Sequence, residues 1–485
     1  MSALLLVIVL LTPQRASHHA RSFDTAQGRP FDKAQGRPVE TPLARADRLI
    51  ALGRLDEARG ALEQIIAANP SSARAHDRLG FVLGKQGRTA DAIDEFRMAV
   101  ALDPKLADAQ YHLGATLWWM KEIDAARPAL EAAVRLRPSH AESRYYLGVT
   151  KRQQGDLTGA IADLRAAIKS NPSLAVAHLQ LGVALREAGD VDGAIASFER
   201  ATTLDPSRPD AANSLGLALM QRGDAQRAVV TLRRTVEQHP EFGSARLNLG
   251  TALLQTGAID QAIAEYRELT RREPENAEAF YNLGLALKQH DEFDAAETAL
   301  RSALRLDPKL PEAPYTLGVV FWQTGRTDEA IAMFRETLSR RAEYADAHYM
   351  LGTIFKQRGD LDSAIAEFRE TTRINPSSAE AFRSLGQTLA ASHDADGASA
   401  ALAEADRLTR IKADSQAAVF AVNAGVEQLR RSDVAAAIAR FREAIRLAPD
   451  NAQAHYQLSR ALRRRGAVAE ANAELETARR LGCRC

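Results

Sequence analysis

From Ala175 to Leu204, apolar and small side chains return at every third or fourth place, in two separate stripes. Leu181, Gly182 and Leu185 form the first stripe, and Ala194, Phe198 and Ala201 form the second. Each spacing puts its members on one face of an α-helix. Gly189 and Asp190 stand between the stripes, and Pro206 follows the second. A glycine there ends the first helix in the left-handed conformation, and the aspartate can cap the second. Proline stops the second helix because it lacks an N–H and restricts the residue before it. The pattern predicts two helices joined by a tight turn.

Gly182, Gly189 and Gly193 also raise the alternative of a phosphate-cradling loop. Such a loop needs glycines clustered between a strand and a helix, and no strand-like run precedes Leu181. The period of the pattern decides. The glycine at 182 recurs at Gly80, Gly114, Gly148, Gly216, Gly250, Gly284, Gly318, Gly352 and Gly386, always 34 residues apart and always after leucine. Alanine follows twelve residues later each time, from Ala92 to Ala398. Proline recurs in the same frame from Pro70 to Pro308, is replaced by Ala342, and resumes at Pro376. A site would occur once; this is a building unit.

Length 34, the Leu-Gly pair, the small residues and the closing proline resemble the tetratricopeptide repeat (TPR) family. Weaker repeats extend the frame to thirteen: one from Val39 with Ala46 in the glycine slot, one from Ala418 with Gly425, and one from Ala452 with Ser459. Repeats 1–11 occupy 39–412, the insert 413–417 follows, and repeats 12–13 occupy 418–485. Within a repeat, apolar or small residues fall at positions 7, 8 and 11 and at 20, 24 and 27. Position 24 is Leu, Phe or Tyr, as at Phe96, Leu164, Phe198, Tyr266, Phe334 and Phe441. Position 15 is glycine in nine repeats, Gly87, Gly189 and Gly359 among them. The resemblance implies an all-α, right-handed superhelical α-solenoid of helix-turn-helix repeats, in which neighbours stack into one continuous core.

A glycine inside a helix, as at position 8, is unfavourable by about 0.5–1 kcal/mol against alanine. Ten of them are expected to be retained for close approach of the two helices, with no Cβ at position 8 and only a methyl at 20. Gly193 sits at a less constrained position and is merely tolerated.

Composition agrees with helix: Ala and Leu dominate the 485 residues, hydrophobic residues make up 46% and aromatics 6%. The 63 basic and 62 acidic side chains nearly cancel, which argues against a dedicated nucleic-acid binder. The two cysteines, Cys483 and Cys485, cannot staple a fold of this size. The run Ala3–Leu11 is uncharged and too short to cross a bilayer, but it suits the apolar core of an export signal in a segment 1–22. No Lys or Arg precedes it and no clean cleavage motif follows, so an exported or periplasmic chain and a cytoplasmic one both stand. Any membrane association would run through this segment alone. The stretch 23–38 holds one octapeptide written twice, "FDTAQGRP" then "FDKAQGRP", read as a flexible tether.

Chemistry is sparse. "GFVLGKQ" at Gly80 is one residue short of a phosphate loop and lacks a Ser or Thr after Lys85. His76, His178, His348 and His455 share position 4, a packing or groove-edge slot, and no His-Glu-x-x-His occurs. No Ser–His–Asp arrangement is inferable. Thirteen repeats leave no room for a separate catalytic domain, so the expectation is a chain that is not an enzyme, with no cofactor, metal or small-molecule substrate. Around 387–417 the frame falters: His393 replaces the position-15 glycine, Arg410 replaces the proline, and Ala413–Ala417 is inserted. A long or kinked helix and a longer loop both satisfy this junction.

In TPR proteins, positions 2, 5, 9, 12 and 13 line a concave groove, and the resemblance implies the same here. Position 5 carries Tyr111, Tyr145, Tyr281, Tyr315, Tyr349 and Tyr456. Position 12 carries Trp118 and Trp322, with Trp119 beside the first. Position 13 carries Gln153, Gln221, Gln255, Gln289, Gln323 and Gln357. An aromatic and amide ladder stacks on an extended peptide and hydrogen-bonds its backbone, and Tyr and Trp are enriched at binding hot spots. The alternative for the tyrosines is packing against the adjacent helix. No repeat pairs Lys at 5 with Asn at 9, which argues against a carboxylate clamp, and Asn248 and Asn282 are too few for an asparagine ladder. The basic last repeat, with Arg460, Arg463, Arg464, Arg465, Arg479, Arg480 and Arg484, suits a solvated end-cap or an acidic partner. The reading is a noncatalytic scaffold for protein or peptide. An exported envelope-assembly factor and a substrate-presenting array for a separately encoded enzyme are the alternatives.

Overall fold

The computed structural model describes residues 41–483 and the backbone of Phe31–Asp32 and Arg37–Pro38, which pair antiparallel. The apolar run Ala3–Leu11, most of the tether 23–38, Arg484 and Cys485 lie outside the described residues. Twenty-five helices follow from Pro42 to Arg480. Thirteen pairs would need one more. The difference is a single 36-residue helix, Ala395–Arg430, which joins the second helix of repeat 11 to the first of repeat 12. The junction left open by the sequence is therefore helical throughout.

The described residues pack as two blocks, divided between Glu265 and Tyr266. Within each block the chain runs as helix pairs, with helices packed on their sequence neighbours. The pair in repeat 5, Ala175–Glu187 and Val191–Leu204, represents the rest. Between its helices Gly189 adopts φ +83°, and the Asp190 carboxylate accepts from the Gly193 N–H at 2.9 Å. Asp156, Asp224, Asp360, Asp394 and Asp433 cap the equivalent helices. Arg227, Ser363 and Ala436 occupy the place of Gly193 beneath three of these caps, so a Cβ is accommodated there. The second helix ends one residue short of the proline slot. Asn69 and Asp103 are extended before their prolines, and Arg341 takes the same conformation before Ala342.

Glycine at position 8 does allow close approach, but its neighbour is not chiefly the alanine at 20. A Cβ built on Gly182 would lie 2.5 Å from the Phe198 ring. On Gly114 and Gly216 it would lie 2.6 Å from Leu130 and Leu232. The side chain at position 24 rests directly on the glycine, while the alanine at 20, such as Ala92 near Gly80, brings its backbone carbonyl alongside. Leu130, Leu164, Phe198, Leu232, Phe334 and Phe441 are completely buried as a result. Burying each is worth about 1.5–3 kcal/mol.

All thirteen position-15 residues turn left-handed, whether or not they are glycine. Lys121, Asp291, His393 and Ser432 have φ of 67°, 61°, 66° and 65°. A side chain there is disfavoured by roughly 1–2 kcal/mol. Lys121→Gly is expected to stabilise the N-terminal block by about 1 kcal/mol, and Gly189→Ala to destabilise it by a similar amount. Chemical denaturation of each variant checks both signs.

Candidate partner-binding face

First helices of successive repeats lie side by side, and their polar contacts give the register. Position 5 of one repeat meets position 6 of the next: Asn248 Nδ2 donates to Asn213 at 2.8 Å, and His112 Nδ1 sits 2.7 Å from Asp77. In the C-terminal block, the Tyr349 hydroxyl lies 3.3 Å from Ser384 and donates to Glu380 at 3.0 Å. Tyr281, whose hydroxyl lies 3.5 Å from Thr316, and Tyr349 therefore stand between helices. Tyr111 is buried; Tyr145, Tyr281, Tyr315, Tyr349 and Tyr456 are half-buried. Burial pushes the Tyr145 and Tyr315 phenols up to about 12 and moves Tyr111 further in the same direction.

In the N-terminal block the rings form a cluster. Trp118 lies 5.4 Å from Trp119 and 5.4 Å from Tyr146, both edge-on. Tyr146 in turn reaches Tyr145 at 5.0 Å and Tyr111 at 6.1 Å. Trp119 is 49% exposed, and its indole N–H donates to the Tyr146 hydroxyl at 3.2 Å. The Trp118 indole nitrogen is buried with no hydrogen-bond partner among the described residues. Beside them Met120 is 47% exposed. Tyr146 and Met120 were not singled out from sequence. Tyr146 is the hub of the cluster because position 6 leans toward the preceding repeat, and the Tyr-Tyr pair one repeat beyond Trp118 was the available signal. Trp322 is half-buried in the C-terminal block, beside Phe321, whose ring carries Arg326 at 4.2 Å.

The position-13 amides differ from the rings. Gln153, Gln221, Gln255, Gln289, Gln323 and Gln357 are all exposed, and no side-chain hydrogen bond ties them among the described residues. The position-4 histidines, by contrast, latch repeats together. The Nε2 atoms of His76, His348 and His455 donate to the carbonyls of Pro70, Ala342 and Pro449 at 3.0, 3.1 and 3.0 Å. Their Nδ1 atoms face Glu95, Glu367 and Glu474 at 2.6, 2.6 and 2.5 Å. In the last repeat, Arg464 donates to the Leu429 carbonyl and Arg465 pairs with Glu470. Among the described residues there is no group of three or more His, Cys, Asp or Glu placed to hold a metal. No described helix is long and apolar enough to cross a membrane.

Helix pairs recurring every 34 residues, most of them closed over a glycine, define an all-α helical-repeat protein. A tetratricopeptide repeat model matches residues 43–107, 113–175, 150–211, 179–241, 213–269, 247–311, 315–379, 349–417 and 422–482, and the chain belongs to that family. No curated protein matches it. YrrB, described as a TPR protein with an unusual peptide-binding site, is 24% identical, with 38% of this chain and 95% of YrrB covered at a TM-score of 0.34. PilF of Pseudomonas aeruginosa is 20% identical over 44% of this chain and 96% of its own, at 0.39. MamA of Desulfovibrio magneticus RS-1 is 21% identical over 35% and 95%, at 0.33. Family membership rests on the repeat match. The architecture is that of a protein-interaction scaffold, and proteins built of these repeats are generally noncatalytic.

Because Trp118 is wedged between Trp119 and Tyr146, Trp118→Ala should destabilise the N-terminal block by about 2 kcal/mol. Trp119→Ala, at a half-exposed position, should change it by less than about 1 kcal/mol. Thermal denaturation of the two variants checks the ranking.

Proposed function

We propose that this chain is a noncatalytic scaffold that holds an extended peptide or protein segment along the face of its first helices. The observation that carries the reading is the Trp118–Trp119–Tyr146 cluster, half open to solvent, with exposed glutamine amides at position 13 of later repeats. Rings that are already packed lose little freedom on binding, so their exposed faces are pre-organised anchors. Exposed amides supply both donors and acceptors to a peptide backbone without requiring one sequence. In the N-terminal block Tyr111 and Tyr145, with Gln153, Gln221 and Gln255, line this face. In the C-terminal block Tyr281, Tyr315 and Tyr349, with Gln289, Gln323 and Gln357, line the corresponding face of that block.

The apolar run Ala3–Leu11 favours a second reading on cell location, an exported accessory factor in envelope assembly. Fractionation distinguishes it: a cytosolic protein with Met1 intact removes that reading and leaves the scaffold.

Pull-down from the native cell tests the face. Changing Trp118, Trp119 and Trp322 together to Ala is expected to lower capture of cross-linked partners at least tenfold, since hot-spot rings are worth about 2 kcal/mol each. Undiminished capture would refute this site.

A further inference from the structure

The fused helix Ala395–Arg430 leaves one repeat-to-repeat contact undone. In repeats 1–10 and 12 the side chain at position 24 is no more than 3% exposed, yet Leu402, its counterpart in repeat 11, is 37% exposed although it still covers Gly386. The partner half shows the same fault. Position 3 of repeats 2–11 and 13 is Ala or Ser at no more than 1% exposure. In repeat 12 it is Phe420, 75% exposed.

Elsewhere these surfaces meet. Position 27 of one repeat joins position 3 of the next in a shared apolar cluster, as Ala167 does with Ala177 and Ala444 with Ala454. Here the cores stay separate: Ala398 and Ala401 pack with Phe368 and Leu385, whereas Ala418 and Val422 pack with Ile438 and Phe441. Residues 406–417 bridge the two, about 18 Å of helix, exposed except for the half-buried Leu408 and Asp414. An unbroken helix cannot fold back to bring Phe420 onto repeat 11.

The exposed residues form a seam. Leu402, Asp406, Thr409, Ala413, Gln416 and Phe420 alternate at the spacings of a heptad stripe and are all exposed. The seam reads the same from either end. A two-fold axis at Ile411 puts Leu402 of one helix against Phe420 of another, and Thr409 against Ala413. It also sets the Asp406 carboxylate opposite the Gln416 amide, an acceptor facing a donor. The small residues stand nearest the middle, where two helices approach most closely. In the regular array the second helix of one repeat and the first of the next are antiparallel neighbours.

From this we infer that two copies of the chain pair through an antiparallel contact of their 395–430 helices. Each copy lays its repeat-12 surface on the repeat-11 surface of the other, remaking in trans, twice, the contact that the fusion prevents in cis. The occupant is a second copy because the same helix carries both halves of the missing contact in matching order. The interface is isologous, so every residue in it counts twice.

Sedimentation velocity of the full chain at about 10 μM reads this out. The wild type should sediment at twice the 52.8 kDa chain mass. Leu402→Asp and Phe420→Asp should each weaken self-association about 100-fold or more and return the single-chain mass, with helical circular dichroism unchanged. Ala413→Arg, which lies in neither core, should do the same, and Phe420→Leu should leave the pair intact. A wild type of single-chain mass, whether the helix stands free, binds another protein or bends back on itself, would overturn the inference. So would a dimer that survives all three disruptive changes.

Discussion

Most repeats are held shut by one contact: a leucine or phenylalanine at position 24 resting on a helix turn whose residue is glycine. The room left by Gly182 or Gly352 is filled by the ring of Phe198 or Phe368, and at Gly80 and Gly148 the carbonyl at position 20 closes in as well. Glycine weakens each first helix locally, yet it lets a large side chain be buried completely. The balance favours burial. Because the contact recurs every 34 residues and each repeat touches chiefly its neighbours, stability accumulates along the chain rather than in one centre.

The same contact sets how each first helix is turned. By fixing which side of the first helix faces its partner, it leaves position 13 turned away from the core. The position-13 glutamines are exposed there, while Trp118 packs against the core with Trp119 edge-on beside it, half exposed. The left-handed turn at position 15 and the aspartate cap after it hold the two helices in that relation, even where Lys121 or Asp291 bears the strain. The histidine latches then tie one repeat's closing turn to the next repeat's first helix. At 395–430 the repeat-to-repeat contact is suspended, and there Leu402 and Phe420 face solvent.

Much of this was legible in the residues because periodicity survives substitution. Helix pairs, turns and caps followed from the recurrence of Gly, Ala, Asp and Pro, and the array could be drawn from Val39 onward. What lies between side chains was less legible. Gly182 was matched to the alanine at 20 because both are small, whereas the structure seats it under Phe198; small beside large packs better than small beside small. The left-handed backbone of His393 and Ser432 carries no sequence signal, since neighbouring helices impose it. The junction stayed undecided because Ala342 shows that a helix can end without proline, while Arg410 stands where one does not. Tyr146 escaped notice because its ring contacts belong to the preceding repeat.

The closure of glycine by position 24 is tested most directly by a double-mutant cycle on Gly182 and Phe198, read by hydrogen exchange of the 175–204 amides. Alone, Gly182→Ala should raise opening of this pair by about 1–3 kcal/mol, since a methyl there meets the ring. In a Phe198→Ala background the same change should be neutral or stabilising by about 1 kcal/mol, as for any helical glycine relieved of a neighbour. An equal loss in both backgrounds would contradict the account.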